Sequence, residues 1–168
     1  MIDISMIRDL VAIFGVIAGF SYYVLTVRNA QRNQQVQLET RQLQAFLQIM
    51  SMAFSKEGFE YMNILDKANV SNYEEFLEKS SNDVEYYNAF IRLARIYEAI
   101  GVFLKEGLLN IRLIALYETT GTIAYWEKYR EIIYEQRRRI NNNRWWDMWE
   151  YTYDTLKVYL EEHPELAP

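Results

Sequence analysis

Residues 10–27, LVAIFGVIAGFSYYVLTV, decide how the rest of the chain is read. These eighteen residues carry no charge, and Arg8–Asp9 and Arg28 bracket them. A bilayer core takes roughly 20 apolar residues of helix, with a usable range of about 17–25. The stretch sits near the lower end of that range, so the predicted membrane helix stands with little tilt. Ile, Val, Leu and Phe occupy every face. A helix that is apolar all round needs lipid or the middle of a large protein, and a chain of 168 residues is too small for the second. A cleaved signal peptide is the main competitor. The run is long for one, and no small-residue cleavage site follows it. Tyr22 and Tyr23 lie toward the Arg28 end, where aromatic rings reach the headgroups.

Orientation follows from the basic residues near the ends of the span. Arg8 stands alone before it, while Arg28, Arg32 and Arg41 follow it. The expectation is a single-pass protein of the cell membrane, N-terminus outside and C-terminal domain cytoplasmic. Gly15 and Gly19 make a GxxxG inside the span, with Ala12 and Ala18 nearby. Small residues at that spacing let two helix backbones approach closely in lipid, so the pair is a candidate helix-packing site. The motif is short and common, and chance accounts for it more often than helix packing does.

Composition narrows the rest. With no cysteine there is no disulfide framework, thiolate metal site or cysteine nucleophile. A net charge of −5 argues against nucleic acid as a partner. Aromatics make up 15%, led by 14 Tyr, which suits a small helical domain with half-exposed faces. Two prolines and six glycines leave few places for a helix to break.

No Gly or Pro interrupts the chain from Arg28 to Ser55. Its first half, rich in Gln, Asn and Arg, reads as a solvated stalk. Val36, Thr40, Leu43, Leu47, Met50 and Phe54 then recur in steps of four and three, a heptad seam that fits a coiled-coil stalk or the first helix of a bundle. A shorter helix is predicted from Lys56 to Val70. Ser71 with Glu74 forms a capping-box pattern opening a helix to Lys79, and Asn82 with Glu85 opens the next. That helix presents Phe90, Leu93, Ala94, Tyr97, Gly101 and Leu104 on one face, with Gly107 just past its end. Asn110 caps a short helix to Glu118. A long one reaches Ile140 with Ile123, Trp126, Arg130, Ile133 and Ile140 along a stripe. Asn141–Asn143 turn, and the last helix carries Trp145, Trp149, Thr152, Leu156 and Tyr159 until Pro164. No strand pattern appears. The predicted fold is all-α: one N-terminal transmembrane helix continuing into a cytoplasmic multi-helix bundle. Its parts are a short N-terminus and span at 1–27, a polar helical stalk at 28–42, the bundle at 43–163 and a tail at 164–168.

Three segments carry a resemblance: RQLQAFLQIM at 41–50, YEAIGVFLKEGLLN at 97–110 and YWEKYREII at 125–133. The chain resembles a family of small prokaryotic proteins that carry a domain of unknown function. Its members have an N-terminal membrane helix, a Gln-rich stalk and a helical domain with a G-V-x-x-K-x-G-L turn. The matching residues are Gly101, Val102, Lys105, Gly107 and Leu108. The resemblance spans nearly the whole chain, supports this architecture and implies no activity.

Catalytic chemistry finds little to build on. The single histidine, His163, sits beside Pro164 in an acidic tail, which removes the usual general base and metal ligand. A di-iron bundle wants Glu-x-x-His on two helices. Carboxylates stack at Glu127/Glu131 and Asp147/Glu150, but ordinary solvated helix faces do the same. Arg92 and Arg95, near Glu98 on an apolar helix, could line a pocket or lay their stems along a core edge. The richest stretch is EQRRRINNNRWWDMWEYTY, where Arg137, Arg138, Arg139 and Arg144 meet Trp145, Trp146 and Trp149. A protein partner, an anionic membrane surface or, through phosphate contacts and stacking, a nucleic acid could use such a patch. The plainer alternative puts Trp145 and Trp149 in the core, with the arginines solvating a helix end whose dipole favours them.

The sequence therefore predicts a non-enzymatic interaction protein without cofactor or metal. It is expected to be homo-oligomeric or an accessory subunit of a membrane complex, meeting its protein partner through the span, the helical domain or both. The rival is a membrane-tethered ligand sensor or enzyme with an Arg/carboxylate pocket in the bundle.

Overall fold

A computed structural model describes residues 4–168; the first three residues of the expected N-terminal segment lie outside the described residues. The described residues form seven α helices and no strand. They are α1 (Ile4–Ala53), α2 (Lys56–Lys67), α3 (Tyr73–Asn82), α4 (Val84–Lys105), α5 (Ile111–Tyr117), α6 (Thr119–Ile140) and α7 (Asp147–Glu162), followed by a 3-10 turn, Pro164–Leu166. The expected all-α class holds.

The chain divides into two units, Met1–Arg41 and Gln42–Pro168. In the first, α1 carries the apolar stretch at 10–27, every side chain of which is exposed except half-buried Val24. The helix is long and apolar enough to cross a membrane. Residues 28–41 continue it without a break and are exposed throughout.

In the second unit α4 is the central helix, with α7, α2 and α3 packed on it. The core is aromatic. Trp149 is fully buried and stacks on Tyr97 at 5.3 Å between ring centres, meets Trp126 edge-on at 5.6 Å, and touches Phe90 and Tyr129. Pairs of that kind add about 0.5–1.5 kcal/mol each beyond area burial. Phe76 extends the cluster, edge-on to Phe90 and to Tyr86.

The core face of α1 is rotated from the expected seam. Phe46, Ile49, Met50 and Ala53 are buried, while Leu43 and Leu47 stay 48% and 55% exposed. Met50 alone belongs to both sets. A 3–4 spacing names a stripe without saying which of two adjacent stripes a neighbour covers, and here the one bearing Phe46 and Ile49 wins.

Two caps also fall one residue later than the sequence pattern suggests. Asn72, not Ser71, caps α3: its side chain accepts the Glu75 N–H at 3.0 Å, and Glu75 in return accepts the Ser71 N–H at 2.8 Å. The return bond thus goes to the residue before the cap rather than to the cap's own N–H, and the one-residue shift turns Tyr73 and Phe76 to the core. Asp83, not Asn82, caps α4 by accepting the Tyr86 N–H at 2.9 Å, and Lys79 pairs with it at 3.3 Å. Gly107 does sit past the end of α4 with φ +68, and Asn110 caps α5 by accepting the Arg112 N–H.

α2 stops at Lys67 rather than Val70. Lys128 of α6 explains the stop, because its ammonium donates to the carbonyls of Leu65 at 2.7 Å and Ala68 at 2.9 Å. The positive charge sits at the negative end of the helix dipole. On α6 the buried stripe is led by Thr122, Trp126, Tyr129 and Ile133, leaving Arg130 and Ile140 exposed, unlike the expectation. α7 begins at Asp147, so Trp145 lies in the preceding turn and not on the helix.

Candidate functional site

The basic-aromatic stretch between α6 and α7 is not one surface. Trp149 is in the core. Arg137 is buried, donating through Nε to the Trp145 carbonyl at 2.7 Å and through a terminal nitrogen to Glu150 at 2.5 Å. Glu150 also accepts the Tyr134 hydroxyl at 2.6 Å, and burial with that carboxylate pushes the phenol up to about 12. Arg138 pairs with Glu135. Arg139 reaches across to α3, pairing with Glu74 and Glu135 while lying over the Tyr73 ring at 4.5 Å. Arg144 is exposed, with Asp147 at 4.0 Å. Trp145 and Trp146 are half-buried and tilted together at 5.1 Å.

Trp146 takes the left-handed conformation, φ +59 and ψ 33, and supplies no side-chain cap to α7. Glu98 of α4 does so instead, accepting the Trp149 N–H at 3.0 Å. Burial raises the Glu98 carboxyl above its ordinary range, against the pull of the main-chain donors on α7.

Arg92, Arg95 and Glu98 therefore do not converge. Glu98 borders an open cavity of about 570 Å³ with Val102, Lys105, Glu106, Arg144 and Asp147. Arg92 and Arg95 border a different groove of about 430 Å³, whose apolar wall is Ile49, Met52, Ile91 and Ile96. Arg92 is partly held already. It donates to the Met52 carbonyl at 3.3 Å, stands 3.8 Å from Glu57 and lies over the Tyr61 ring.

A second half-buried carboxylate, Glu118, lies at the C-cap of α5, between α5 and α6. Burial raises Glu118, and a hydrogen bond from the Tyr97 hydroxyl pulls the other way. Nearby, Tyr125 donates to Asp66 at 2.8 Å. Sequence reasoning missed Glu118, whose neighbours Thr119-Thr120-Gly121 mark only a break; a carboxylate directly before such a break was the available signal. Of the paired carboxylates singled out from sequence, Glu127 accepts the Tyr153 hydroxyl and Glu131 pairs with Arg130. Among the described residues no group of three or more His, Cys, Asp or Glu side chains is placed to hold a metal ion.

Gly15 and Gly19 lie on an open face, where an added Cβ would meet nothing within 4 Å.

No curated protein and no solved structure matches the chain. One family does: the profile described as a domain of unknown function, DUF4760, matches residues 4–155. Its match takes in α1 as well as nearly all of the helical bundle, and on that evidence the chain belongs to the DUF4760 family.

Proposed function

We propose that this chain is a non-catalytic, single-pass cell-membrane protein that works by contact, as a homo-oligomer or as an accessory subunit of a larger membrane complex. On this reading the N-terminus is outside, the bundle is cytoplasmic, and the family is one of membrane-anchored prokaryotic proteins. The observation that carries it is what the bundle's polar side chains are engaged in. Glu98 caps α7, Lys128 closes α2, Arg137 ties α6 to Glu150, and Tyr125 binds Asp66. Each is held in a bond between helices, whereas α1 leaves a long apolar surface uncovered. Basic residues after the span support the orientation.

Carbonate-washed membranes and blue-native electrophoresis test the reading. The chain, of 20.2 kDa, is expected in the membrane pellet and in a band well above its own mass. Recovery in the soluble fraction, or a strictly monomeric band, overturns it. Protease added to sealed, right-side-out vesicles should leave the bundle intact; digestion there reverses the orientation.

A further inference from the structure

One line of side chains runs along α1 in strictly alternating steps of four and three. Upstream from Thr40 it passes through Val36, Asn33 and Asn29 in the stalk. The same count enters the span at Thr26 and Tyr22, then reaches Gly19, Gly15 and Ala12. The line covers four heptads of the unit, and in the stalk Val36 is its one apolar side chain. The charged residues between 10 and 41, namely Arg28, Arg32, Glu39 and Arg41, all lie off the line.

The structure adds two facts that spacing could not supply. Both threonines on the line turn their hydroxyls back onto their own helix, Thr26 to the Tyr22 carbonyl and Thr40 to the Val36 carbonyl, each at 2.8 Å. Their polar atoms are thus satisfied without a partner, and the two asparagine amides are the line's main remaining polar side chains. Residues 28–41 are also exposed throughout. Most helical stability in proteins comes from packing of one face. Stalk support inside the chain is slight: Gln35 donates to Glu39 at 2.9 Å.

From this we infer that a second copy of the chain packs parallel and in register along α1 from Ala12 to Thr40. The inference rests on the contact reading above and names its partner. Two copies inserted the same way in one membrane are necessarily parallel, so each line residue faces its own equivalent. Gly15 and Gly19 then let the backbones approach in lipid. Asn33 and Asn29 meet their own amides, each of which carries both donor and acceptor, so the pairing satisfies itself only in register. An Asn at such a core position sets register and oligomer state at some loss of stability. Val36 and the threonine methyls fill the remaining layers.

The absence of cysteine makes the test direct. Single cysteines at Asn29, Asn33, Val36 and Thr40, and off the line at Gln31, Gln34 and Leu38, are placed in the full chain. Native membranes are then oxidised with copper–phenanthroline. Disulfide-linked dimer should form several-fold more at the line positions, because the bond requires close Cβ atoms. Equal yields on all faces, a maximum at Gln31 and Leu38, or no dimer at any position overturns the inference. Blue-native electrophoresis of the same membranes separates the two failures. A large native band without line cross-links sinks the seam and leaves the contact reading standing; a monomeric band sinks both.

Discussion

Gly101 of α4 lies directly against the main-chain carbonyl of Met148, so closely that a Cβ on Gly101 would come within 2.0 Å of that oxygen. The glycine of the G-V-x-x-K-x-G-L turn is thus where α4 admits the start of α7. The obstacle is backbone and cannot swing aside. Gly101→Ala should destabilise the bundle by about 1–3 kcal/mol, the usual range for overpacking. All four tryptophans lie in the bundle, so urea unfolding of the detergent-solubilised chain, followed by tryptophan fluorescence, reads that loss.

Glu98, one turn earlier on the same face of α4, holds the same junction by accepting the Trp149 N–H. Glu98→Ala removes the cap and should cost about 1 kcal/mol, as lost N-caps do. Glu98→Gln keeps an acceptor and should cost less. Equal losses in the same unfolding measurement would show that charge, not capping, matters at this position.

Glu118 predicts a pH dependence of definite sign. Its folded carboxyl is raised by burial above its unfolded value, so the folded state binds more protons in that interval. Stability from this group is greatest below the unfolded carboxylate range and is lost as pH rises through the folded value. Glu118→Gln should remove that slope while keeping an acceptor for the Tyr97 hydroxyl. Melting temperatures of variant and wild type, compared between pH 4 and about pH 8, should diverge in favour of the variant toward the alkaline end. A constant difference across that range refutes it.

Arginines of one short segment should behave differently when removed. Arg137→Met leaves Glu150 half-buried without its cation and should cost about 3 kcal/mol, the low end for breaking a buried pair. Arg144→Ala, at an exposed site, should change stability by no more than about 0.5 kcal/mol. Similar losses for the two variants would mean that the segment acts as one unit.

Legibility in the sequence tracked how local the physics is. The Gly107 and Asn110 helix ends depend on a few neighbouring residues, and both were readable. Caps at Asn72 and Asp83 were missed by one position, because Ser71-Asn72 and Asn82-Asp83 each offer two adjacent acceptors. Local chemistry barely separates those pairs. What separates them is which register sends Tyr73, Phe76 and Tyr86 inward. α1 goes further: the stripe through Leu43 and Leu47 is the more apolar by sequence, yet the bundle covers the one through Phe46 and Ile49.

By itself, the order of residues determined the helical class, the apolar helix at 10–27 and the scarcity of histidine and cysteine chemistry, since each follows from composition or from periodicity along one helix. Only the tertiary structure decided what became of the segment from Arg137 to Trp149. The sequence presents its arginines and tryptophans as neighbours. Folding sends Trp149 into the aromatic core, draws Arg137 onto Glu150, and leaves Arg144 in water. Glu98 and Glu74 reach these residues from α4 and α3, and no pattern along the sequence records contacts made across it.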